Sequence, residues 1–114
     1  MLLAEAEYEE AKHNERIEQI RDRKLTNISD VVRAVTQLYI DLYELADPAD
    51  IGKGMCEDFA EDVCNLVSGA EAWWNDELGR KKGYDGSHKV VKYKGMYYDA
   101  ECPKGNKRWR ALLH

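Results

Sequence analysis

Two apolar periodicities run through this chain in a fixed order, and that order restricts the fold more than any other feature. Val31, Val35, Leu38, Leu42 and Leu45 recur at spacings of three and four, with Val32 and Tyr39 widening the stripe, the pattern of a helix that buries one face. Ser29 is a suitable N-cap, Asp30 complements the positive end of the dipole, and Asp47-Pro48 ends the run. A further helix is expected from residue 56 to about residue 78, with Phe59, Val63, Leu66, Ala70 and Trp73 facing inward. Glu57, Asp58, Glu61 and Asp62 face outward on the same helix, and Gly69 weakens it midway, at about 1 kcal/mol relative to Ala. After residue 87 the period changes to two. Residues 88–93 and 96–102 alternate like strands around Lys94-Gly95, and Pro103 is expected to stop the second. Helices first and a hairpin last give the fold class α+β, helices packed on a small antiparallel sheet.

The ends and joints are less patterned. Residues 2–24 are rich in Glu, Ala, Arg and Lys and hold no Gly or Pro, so they favour a helix. Their apolar positions (Leu3, Ala6, Ala11, Ile17, Ile20) are sparse, which suits a helix lying on the surface or projecting towards a partner. Thr26-Asn27 break it. Residues 49–55, with Gly52 and Gly54, read as a loop, and residues 79–87, with three glycines and three basic residues, as another. A last short element holds Trp109, Leu112 and Leu113. The 114 residues suffice for one domain, 1–114, with a helical part over 1–48 and a core over 52–113.

Composition removes several function classes. No apolar run approaches the ~20 residues that a membrane span needs, and Met1-Leu2-Leu3-Ala4 gives way at once to Glu5, Glu7, Glu9 and Glu10, so neither a membrane segment nor an export signal is expected. A cytoplasmic location follows. Cys56, Cys64 and Cys102 are odd in number and widely spaced, which argues against a disulfide framework. No CxxC or HxxxH pair exists, and His13, His88 and His114 lie far apart; no metal site and no cofactor are expected. Residues 1–87 hold 10 Lys/Arg against 20 Asp/Glu, whereas residues 88–114 hold 7 against 2, for a net charge of −5. The acidic majority disfavours nucleic acid as a partner, and the basic end balances the acidic helices beside it.

One constellation carries chemistry. Cys56 opens a predicted helix, where unpaired N–H groups and the dipole stabilise a thiolate; Glu57, Asp58, Glu61 and Asp62 oppose it, so a histidine must share the activation. If Lys94-Gly95 is a two-residue turn, paired residues have numbers that sum to 189. His88 then faces Glu101, Val90 faces Asp99, and Asp99 is the diagonal neighbour of His88 on one face of the hairpin. A carboxylate beside an imidazole fixes its tautomer and leaves the other nitrogen to take a thiol proton. Cys56, His88 and Asp99 are therefore the expected catalytic residues, while Cys64 and Cys102 read as small core side chains.

The same residues carry a resemblance. Gly54-Met55-Cys56-Glu57-Asp58-Phe59-Ala60 resembles the nucleophile segment of transglutaminase-like proteins, in which Gly-x-Cys is followed by a charged residue, Asp, an aromatic and Ala. The segment from Ser87 to Tyr93 resembles that family's histidine strand, and Tyr97-Tyr98-Asp99-Ala100 the strand that carries its aspartate. The run from Tyr98 to Gly105 is similar to a Tyr-Asp-Ala-Glu-x-Pro-x-Gly pattern in small bacteriophage proteins of the same papain-like type. The resemblance covers roughly residues 52–113. It departs in having Val90 where an aromatic is usual, and in lacking a clear oxyanion donor ahead of Cys56. It implies a minimal papain-like core and a cysteine-nucleophile hydrolase or acyltransferase that acts on an amide or thioester of a protein or peptide, in a host cytoplasm if phage-encoded. The alternative it leaves is a non-catalytic inhibitor or protein-binding module that uses an acidic helical surface.

Overall fold

The computed structural model describes residues 2–74 and 88–108. Three helices, α1 (Leu2–Asp22), α2 (Ile28–Leu42) and α3 (Cys56–Leu66), precede a four-stranded antiparallel sheet, β1 (Glu71–Trp74), β2 (Lys89–Tyr93), β3 (Met96–Asp99) and β4 (Cys102–Asn106); α2 and α3 pack on the sheet, and α1 packs on α2. The strands lie in chain order. The architecture is the α+β one that the periodicities predict. The expected loop at 79–87 and the final element with Trp109, Leu112 and Leu113 lie outside the described residues.

Four local expectations are corrected. The N-cap of α2 is Asn27, not Ser29: the Asn27 side-chain oxygen accepts from the Ser29 N–H at 2.7 Å, and an amide reaches the first-turn donors as well as a hydroxyl does. The expected loop after Asp47 contains a 3₁₀ helix, Pro48–Lys53, held by a capping box in which Asp47 and Asp50 bond each other's backbone ends. α3 stops at Leu66 rather than near residue 78. Gly69 sits at φ +90°, a conformation that ends a helix instead of merely weakening it, and Trp73 and Trp74 continue as a strand paired with β2. Last, Pro103 does not stop the second strand. The chain turns back at Ala100-Glu101, and Pro103 lies inside β4, an edge strand that tolerates its missing N–H.

The predicted hairpin register holds for its ladder: Val91 faces Tyr98, Lys92 faces Tyr97 and Tyr93 faces Met96. Lys94 and Gly95 both have positive φ, +49° and +78°, the geometry of the tight turn whose twist matches the strands. One sheet face, with Val91 and Tyr98, meets Val32, Val35, Leu38 and Tyr39 of α2 and Phe59 and Val63 of α3 in a single core. Each such side chain, fully buried, contributes about 1.5–3 kcal/mol. Trp73 and Val90 lie on the other face, and the start of β2 and the end of β3 bring His88 and Asp99 together at one end of the sheet.

Candidate active site

The site forms where the head of α3 meets that end of the sheet. The Met55 N–H donates to the Ile51 carbonyl at 2.9 Å, so the 3₁₀ helix feeds directly into α3. Cys56 is the first residue of α3, and Met55, its N-cap, supplies no capping side chain. His88 immediately precedes β2, and Asp99 closes β3. Their side chains lie on one face, and His88 Nε2 stands 2.9 Å from Asp99 Oδ2. Asp99 Oδ1 accepts from the Glu101 N–H at 3.0 Å, so the same carboxylate closes the turn into β4 and orients the imidazole. That Asx turn was the readable sign of the fourth strand.

Cys56, His88 and Asp99 line one cavity, walled on the apolar side by Pro48, Ile51 and Phe59. Three residues distant in sequence are therefore neighbours around one space. The enclosure is tight. Cys56 and His88 are each 7% exposed and Asp99 3%, and the cavity measures about 10 Å³, room for about one water molecule.

Lys89 borders the same cavity from the next position along β2. Its ammonium lies 3.5 Å from Glu61 and 4.0 Å from Glu57 and stacks 5.1 Å from the centre of the Trp74 ring. The other two thiols have a different character. Burial pushes Cys64 up to about 11, against the opposing pull of Lys89. Burial, then the Asp99 carboxylate, raises Cys102 as well. Both hold their protons through the neutral range.

Sequence reasoning missed a second histidine–carboxylate pair and wrongly turned Asp62 outward. His13 of α1 reaches Asp62 Oδ2 of α3 through Nε2 at 2.7 Å and the Tyr43 hydroxyl through Nδ1 at 2.8 Å. Tyr39 donates to the same Asp62 oxygen at 2.6 Å, which, after burial itself, raises the phenol well above its ordinary range. His13, Tyr43 and Asp62 edge an open, acid-rimmed cleft of about 370 Å³ between α1 and α3, with Glu9, Glu10, Asp58 and Glu61 at its border. The available signal was polar spacing: His13, Ile17 and Ile20 share one face of α1.

Among the described residues, no group of three or more His, Cys, Asp or Glu side chains is arranged to hold a metal ion. No helix there is long and apolar enough to cross a membrane. Comparison of the chain with family models, curated proteins and solved structures finds no match.

Proposed function

We propose that the protein is a cysteine-nucleophile hydrolase or acyltransferase acting on an amide or thioester bond, with Cys56 as nucleophile, His88 as base and Asp99 as the group that orients His88. One observation supports this above others: a thiol at a helix head and a carboxylate-bound imidazole border the same small cavity. Asp99 engages Nε2, so Nδ1 is the nitrogen that takes the thiol proton. The sulfur then adds to the carbonyl carbon, and the N–H groups of the first turn of α3 hold the oxyanion. Collapse of the intermediate expels the amine or thiol, which regains its proton from His88, and leaves an acyl group on Cys56 as a thioester. Water or an amine releases that acyl group.

The test is thiol reactivity mapped by mass spectrometry. At neutral pH, iodoacetamide labels Cys56 faster than Cys64 or Cys102 by at least about tenfold, because only a thiolate attacks. His88→Gln slows Cys56 to the rate of the others, and Cys56→Ala abolishes turnover of a peptide thioester while circular dichroism stays native. Equal, slow labelling of all three thiols contradicts the proposal.

The acid-rimmed cleft between α1 and α3 supports a second reading, a module that binds a basic protein. Such binding weakens with salt and is indifferent to Cys56→Ala. Loss of binding in that variant, with the fold intact, rules this reading out.

A further inference from the structure

We infer that Lys89 is a positioning residue for the Cys56 thiolate: its side chain borders the cavity, and its ammonium, held by Glu57 and Glu61, offsets the carboxylates carried by the opening turns of α3. The inference rests on the catalytic reading of Cys56 and adds the element that reading lacks.

The opening turns of α3 are a poor place for an anion. Glu57 and Asp58 follow the cysteine directly, with Glu61 and Asp62 one turn on. Across the cavity stand Asp99 and Glu101. Lys89 is the only Lys or Arg among the described residues that border the cavity.

Its environment is unusual for a lysine. The side chain is 12% exposed, whereas Glu57 and Glu61 are 55% and 53% exposed. A mostly buried ammonium costs free energy unless it is paired; here two carboxylates and the face of Trp74 pair it. Glu57 and Glu61 sit one helical turn apart, so one cation between them answers both. The Trp74 ring covers that cation from one side. An ordinary surface ion pair would leave the lysine as exposed as its partners. The Cys64 thiol feels Lys89 as the one influence that lowers it.

Alkylation of Cys56 as a function of pH tests this in the 114-residue chain. Lys89→Met is expected to slow labelling of Cys56 by about tenfold at neutral pH and to move the profile up by about one unit, the change one unit of thiol ionisation represents. Lys89→Arg keeps the charge and restores the rate. Lys89→Gln, which keeps a polar side chain without the charge, is expected to slow labelling to the same degree. It carries the test even if Lys89→Met fails to fold. A merely structural lysine would change the melting temperature and leave the pH profile where it was. If Cys56 labels rapidly in the parent protein and neither change moves its profile, the role of Lys89 is overturned while the catalytic reading stands. Were Cys56 no faster than Cys64 in the parent protein, both would fall.

Discussion

At the scale of single residues, burial sorts the ionisable groups into those that hold protons and those that can use them. Cys64 is pushed up to about 11 by burial. Cys102, Tyr43 and Tyr98 are raised for the same leading reason, and Tyr39 is raised by burial and by its bond to Asp62. Each is an acid whose protonated form the fold prefers. Their contribution to stability is therefore complete below the values of the unfolded chain and is lost as pH rises through the folded ones. For Cys64 that window runs from the ordinary 9.0 to about 11. Urea unfolding between about pH 8 and about pH 11 is expected to show falling stability, with a shallower fall in Cys64→Ala. Parallel profiles for the two proteins would contradict the assignment. Asp99 shows the opposite use of burial: at 3% exposed it takes the Glu101 N–H and the His88 ring at once, so one carboxylate serves both the turn and the site.

At the scale of elements, α1 and α3 show what could be read in advance and what could not. The apolar stripe of α2 and the Lys94-Gly95 turn were legible because each is set by neighbours in sequence. The diagonal meeting of His88 with Asp99 followed from the turn alone. The ends of α3 and β3 were not legible. Ala70 and Trp73 continue a helical spacing by chance, and strand pairing with β2 overrides it. Pro103 looks like a stop, but only its place on a sheet edge makes it acceptable in a strand. The docking of α1 was hidden because it depends on a polar hub instead of an apolar stripe. His13 ties α1 to α2 through Tyr43 and to α3 through Asp62. His13→Ala removes both bonds and leaves a half-buried carboxylate short of a partner, so a loss of about 1–3 kcal/mol is expected in urea unfolding. Faster amide exchange in α1 than in α2 should accompany it. Unchanged stability would mean that Ile17 and Ile20 alone hold the helix.

At the scale of the whole molecule, the hairpin and the third helix converge because both pack on the same core. Val91 and Tyr98 press one sheet face against Phe59 and Val63, which fixes α3 along its length and sets its head beside His88 and Asp99. The residues of the site were legible as types and spacings, but their common cavity and its tightness depend on packing that no local pattern encodes. Lys89 was legible only as a charge on a strand. The central claim is that the sulfur of Cys56 ionises with the help of His88. It is tested most directly by ultraviolet thiolate absorbance in a Cys64→Ser, Cys102→Ser background, followed from acid to alkaline pH with His88 present and as His88→Gln. A thiolate signal already present near neutrality and lost in His88→Gln is the predicted result. A single rise in the ordinary thiol range, the same in both proteins, would contradict it.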